Sequence, residues 1–240
     1  MSARRPGPGT LAFAVPLLAL VYFLAAPALP ALPDGDATVA VAGGLGLLVT
    51  AATTLALVPA RETVAGPLLI VLGAGLLVGA LNAAGAGAGA NVAEIMLAAA
   101  VGLLFARALG TVAVALAVPL FVAAIDVWSV LSGPTSRLLE EDDDRVDALT
   151  LDLPAWGGDG AAGLLGVSDV VFLAMFAAWA WRFGFRRVAT AVGLTCGLLA
   201  SLVLGLALDE AIPALPLIAA GYLLPNADRI ARLFRPRPAG

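Results

Sequence analysis

Two carboxylates lie where carboxylates are costly. Asp126 falls within TVAVALAVPLFVAAIDVWSVL, residues 111–131, and Asp169 within AAGLLGVSDVVFLAMFAAWAW, residues 161–181. Both runs are otherwise apolar. A charged side chain at the centre of a membrane helix costs roughly 2.5–3.5 kcal/mol on insertion scales. Two such costs in consecutive apolar runs point to a use. Two facing carboxyls in a dry site can share one proton, one serving as acid and the other as base.

The rest of the chemical inventory narrows the options. The chain has no His and a single Cys, Cys196, inside an apolar run. That removes Ser-His-Asp and Cys-His catalysis and any His- or Cys-based metal site, and acid–base work by a carboxyl pair needs no metal or organic cofactor. Cys196 can form no internal disulfide and reads as a small apolar residue. Glu94, Asp209 and Glu210 read as carboxylates near the external interface. Trp128, Trp156, Trp179 and Trp181 read as interfacial belt residues.

The elements that must position the two aspartates are membrane helices. The chain is 61% hydrophobic and 12% charged, with a mean hydropathy of +1.02. Runs of about 18 or more apolar residues recur along nearly its whole length, which predicts an all-α polytopic membrane protein. Eight spans are expected, near 10–29, 38–58, 63–81, 92–109, 111–131, 161–181, 188–208 and 212–224. The first is expected as a retained span; the alternative is a cleaved signal peptide following Arg4 and Arg5. Ala83–Ala90 (AAGAGAGA) is expected as a flexible external connector. Ser132–Gly160 is expected as a solvated external loop holding Glu140, Glu141, Asp142, Asp143, Asp144, Asp147, Asp152 and Asp159. The tail from Arg232 is basic and Pro-containing, expected to be disordered against anionic lipid.

The arginines predict the orientation. With the N-terminus cytoplasmic, 11 of the 13 arginines fall in cytoplasmic segments; only Arg137 and Arg145 do not. The positive-inside rule then puts both termini in the cytoplasm of a multi-pass cell-membrane protein. Asp126 lies about five residues from the external end of its span, roughly 8 Å, and Asp169 about eight residues, roughly 12 Å. The segment Pro213-Ala214-Leu215-Pro216 opens the last span from the same side. Its prolines disturb the helix start, and irregular backbone at membrane depth is tolerated where it lines a cavity.

Three stretches follow in order: Ala124-Ile125-Asp126-Val127-Trp128, then Gly166-Val167-Ser168-Asp169 with an apolar run to Arg182-Phe183, then Pro213-Ala214-Leu215. Over residues 111–225 this order resembles the presenilin and signal peptide peptidase family of intramembrane aspartyl proteases. That family carries Tyr-Asp, Gly-x-Gly-Asp and Pro-Ala-Leu in successive positions. Ile125 stands in place of the Tyr, and Ser168 in place of the second Gly. The resemblance implies a presenilin-like bundle in three parts: a four-helix membrane part over 1–110, a catalytic part over 111–225, and a basic cytoplasmic tail over 226–240. It further implies Asp126 and Asp169 as the catalytic pair, with Gly166, Ser168, Pro213, Ala214 and Leu215 shaping the site. The substrates implied are transmembrane or signal-peptide segments in the lipid bilayer, unwound near the cleavage point; no nucleic-acid partner is expected.

Other readings use the same residues. Asp126 and Asp169 could bind protons or cations in a transporter or channel, which leaves Pro-Ala-Leu without a use. An inactive protease relative could hold membrane segments without cutting them. A prepilin-peptidase-like enzyme also uses a Gly-x-Gly-Asp-type motif, but the basic residue expected after its Asp is missing here.

Overall fold

The structure, a computed structural model, describes residues 8–33, 35–132, 149–158, 160–210 and 212–234. Apolar runs become helices throughout. α1 spans Pro8–Ala25. A single turn (Gly35–Ala37) and a π-helical stretch (Thr38–Gly43) run without a break into α2 (Gly44–Leu57). A 3-10 segment at Val58–Glu62 completes a 28-residue rod. α3 (Ala65–Ala83) and α4 (Gly87–Ala108) form a hairpin, and α5 (Val112–Ser132) follows after three residues. β1 (Thr150–Pro154) and β2 (Ala161–Gly166) precede α6 (Val167–Arg182). α7 (Arg187–Leu208), α8 (Ala214–Leu223) and the short α9 (Ala227–Leu233) close the chain.

All eight expected apolar segments are thus largely helical. Five are long and apolar enough to cross a membrane: 35–62, 65–83, 89–108, 112–130 and 187–208. The first segment, α6 and α8 are shorter. Bulky apolar side chains face outward, among them Phe13, Leu76, Phe121 and Val188, at 65–82% exposure. Such a surface needs a lipid solvent, so the protein is membrane-embedded.

α6 is the axis of the bundle. Val170 and every residue from Leu173 to Ala180 are buried, and its neighbours are chiefly α4, α8, α7 and α2. Two crossings are close because glycines permit them. A Cβ on Gly102 of α4 would strike the Val171 carbonyl of α6, and Gly193 of α7 faces the Gly221 carbonyl of α8. Small residues allow such backbone approach in membranes, where van der Waals packing drives association. Polar ties complete it. Trp179 Nε1 donates to the Ala106 carbonyl at 3.1 Å. Buried Asn226 donates to Thr190 Oγ1 and the Tyr222 carbonyl, each at 2.7 Å, and accepts the Arg186 N–H at 2.8 Å.

Three expectations need correction. Residues 161–166 are not the start of a span but strand β2, paired antiparallel with β1 through Leu151↔Leu165, Asp152↔Leu164 and Leu153↔Gly163. Glycines at 163 and 166 weaken a helix there, whereas pairing satisfies the backbone. Leu151, Leu153 and Leu165 turn inward while Asp152 and Leu164 face out, the period of two of a half-buried strand. The expected loop therefore ends in a hairpin, closed by the Ala155 N–H donating to the Gly160 carbonyl, with Gly157 at φ +79°. Residues 133–148 and Asp159, with most of the loop's acidic groups, lie outside the described residues.

Second, Ala83–Ala90 is not a flexible connector. α3 runs through Ala83 and α4 begins at Gly87, leaving Ala84–Ala86 as the link, with Gly85 at φ +71°. Alanine's helix preference extends both helices into it. Third, Arg232 belongs to α9, which follows α8 through a 3-10 turn at Pro225, so the helical path continues past Ile230. Residues 235–240 lie outside the described residues.

Candidate functional site

Asp126 sits on α5 and reaches the first turn of α8. Its Oδ2 accepts the Leu215 backbone N–H at 3.0 Å. The local sequence explains why. A helix start carries four N–H groups without partners inside the helix. In α8 the N-cap is Pro213 and the next positions are Ala214, Leu215 and Pro216. Pro has no N–H, so two of the four donors do not exist. Leu215 supplies a third, and Pro213 makes no side-chain cap of its own. Asp126 therefore does from a neighbouring helix what an N-cap side chain does locally, and its negative charge suits the positive end of the helix dipole.

Asp169 is the third residue of α6, not a residue eight positions inside a span, because the helix starts at Val167. Its carboxyl lies against the Gly166 backbone and within electrostatic reach of Asp126. A Cβ on Gly166 would lie 3.1 Å from Asp169 Oδ2 and 3.4 Å from Ser168 Oγ. Glycine at 166 thus leaves room for the carboxyl as β2 hands over to α6. The structure brings Asp126, Asp169, Gly166 and Leu215 into one neighbourhood. Pro213 and Ala214 flank Leu215 at the α8 start; the Ser168 side chain is exposed. Ile125 is 46% exposed on the outer side of α5.

Comparison with known proteins finds no matching family model, no matching curated protein and no matching solved structure.

The hairpin and the backbone donor of Leu215 were not anticipated from sequence. The Leu-Asp-Leu alternation at 151–153 and the paired glycines 157–158 are the signals that mark a hairpin. Beside it opens a cavity of about 590 Å³, lined by Phe23, Asn82, Asn91, Glu94 and Asp152 among others. Asn91 Oδ1 accepts the Asp152 N–H at 3.1 Å, and Glu94 and Asn82 lie beside it on the wall. Neither this cavity nor the smaller one at the other end of the bundle takes in Asp126 or Asp169. Among the described residues no group of three or more His, Cys, Asp or Glu is gathered as a metal site would require.

Proposed function

We propose that this chain is an intramembrane aspartyl protease of the presenilin and signal peptide peptidase type. One observation carries the reading. Asp126, Asp169 and Leu215 are far apart in sequence, yet Asp126 is hydrogen-bonded to Leu215 and lies within electrostatic reach of Asp169. These are the three motifs whose order resembles that family, and a purely structural polar contact does not require all three together.

The chemistry is peptide hydrolysis. One carboxylate takes a proton from a water whose oxygen attacks the scissile carbonyl. The other carboxyl, protonated, stabilises the developing oxyanion and, with the proton gained, the pair protonates the leaving amine as the C–N bond breaks. Two carboxyls that share a proton titrate as a pair, so the roles belong to the pair rather than to either residue. β2 supports the way a substrate is held. It has no partner other than β1 among the described residues and leads directly into Ser168 and Asp169. An unwound substrate segment can add to such an edge by main-chain hydrogen bonds. The proposed orientation, with both termini cytoplasmic, selects substrates whose N-terminus is cytoplasmic.

The test is cleavage of a reconstituted single-span substrate. Asp126→Asn and Asp169→Asn are each expected to abolish cutting that the wild type performs, with the protein still folded. Retention of most activity in either variant would refute the pair. Loss of proton- or cation-coupled flux in liposomes, with no substrate cut by the wild type, would favour the transporter.

A further inference from the structure

The end of the bundle away from Asp169 gathers positive charge into a concavity. α6 carries Asp169 at its start and Arg182 at its end, about 20 Å apart at 1.5 Å per residue. Around Arg182 lies a cavity of about 240 Å³ whose floor is Leu103, Ala106 and Ala178 and whose rim is Arg61, Arg107, Arg182 and Glu62. Arg187 joins from α7: its guanidinium rests over the Trp181 ring at 4.7 Å, and that of Arg61 over the same ring at 5.0 Å. Gly110 makes room, because the Arg182 guanidinium occupies the space a Cβ there would take.

These cations are held in place and only partly neutralised, by Glu62 beside Arg61. Arg107 donates to the Arg61 carbonyl at 3.2 Å and Arg182 to the Arg107 carbonyl at 3.4 Å. Each guanidinium has five N–H donors, so most remain uncommitted among the described residues. Arg61 Nε is buried without a partner. The ion pairs found among the described residues belong to Arg186 and Arg232, both with Asp228, not to these four. Glu62 is the one carboxylate on the rim, and Arg61 also lies within electrostatic reach of Arg182 and Arg187. One carboxylate among Arg61, Arg107 and Arg182 leaves a net positive concavity that favours a further anion. A preference of arginine for one side of the membrane does not require convergence on one concavity between helices.

We infer that the cavity rimmed by Arg61, Arg107 and Arg182 is a binding site for a phosphate group, that of an anionic phospholipid headgroup. Guanidinium forks match phosphate oxygens two at a time. The site lies at the helix ends, where headgroups lie, and basic pockets between membrane helices bind anionic headgroups elsewhere. The apolar floor and exposed apolar flanks of the bundle suit acyl chains beside it. The inference does not rest on the protease reading.

The experiment is native mass spectrometry of the purified chain in detergent, titrated with phosphatidylglycerol, phosphatidylcholine or inorganic phosphate. Wild type is expected to retain one phosphatidylglycerol on the order of 100-fold more tightly than phosphatidylcholine, from about a fivefold gain per arginine. The R61Q/R107Q/R182Q variant is expected to lose that preference, and R229Q/R232Q to keep it. Arg107→Gln alone, which gives up a single surface hydrogen bond, is expected to weaken retention about fivefold and serves if the triple variant does not fold. Displacement of the lipid by inorganic phosphate alone would keep the phosphate site but assign it to a soluble ligand. Equal retention of both lipids by wild type with no phosphate bound, or undiminished preference in the arginine variants, would overturn the site.

Discussion

Asp126 holds the N–H of Leu215 at 3.0 Å, which makes a carboxylate of α5 the cap of α8. This bond separates two roles of one residue. Asp126→Asn keeps an oxygen that can accept from Leu215; Asp126→Ala leaves that donor unpaired at the cost of about 1–3 kcal/mol. Thermal unfolding in detergent is expected to show the Asn variant near wild type and the Ala variant clearly below it. Equal stability of the two would remove the capping role.

If the two aspartates act as one unit, their losses do not add. The double Asn variant is expected to cut a reconstituted substrate no more slowly than either single variant. Independent, multiplying losses in single-turnover assays would argue against a shared site.

The reciprocal approach of Gly193 and Gly221 leaves no room for a methyl group on either. Gly193→Ala and Gly221→Ala are each expected to destabilise by about 1–3 kcal/mol through overpacking. Gly73→Ala on α3, where a Cβ would meet nothing, is expected to be neutral or slightly stabilising. Chemical denaturation in mixed micelles reads all three.

Asn226 is the fully buried hub joining α7, α8 and the link before α7. Asn226→Ala strands the Arg186 N–H and is expected to cost about 1–3 kcal/mol. A melting temperature unchanged from wild type would show that the network contributes nothing.

The proposed topology is open to labelling. A cysteine at position 142 is expected to react with an impermeant reagent added outside cells, and one at 235 only after permeabilisation. The opposite pattern would invert the orientation and the class of substrate with it.

The positions of the helices were legible because most apolar runs are long and Arg61, Arg107, Arg182 and Arg186 punctuate the ends. The start of α6 was not. Residues 161–166 are six small or apolar residues, a length at which helix and strand are indistinguishable by periodicity. Only the partner strand at 150–154 decides between them. The ordering of Ala83 and Gly87–Ala90 into helices was hidden for a related reason: glycine signals a linker, while alanine and the packing of α4 override it. Of the candidate site, both aspartates and Pro-Ala-Leu could be named from motif order. The Asp126–Leu215 bond could not, since it spans 89 positions and joins a side chain to a backbone.

Pro213 and Pro216 also make that bond replaceable. A helix opening at membrane depth is ordinarily committed to whatever satisfies its first turn. Here half of the demand was deleted in the covalent chain. Should Asp126 turn toward another group, α8 is left with one newly unpaired N–H, a cost of about 1–3 kcal/mol. On the proposed protease reading, a carbonyl of an incoming extended segment can accept from Leu215 in its stead. The contact is on that reading a detachable tether, firm enough to dock α5 against α8 at rest and weak enough to be exchanged when substrate enters.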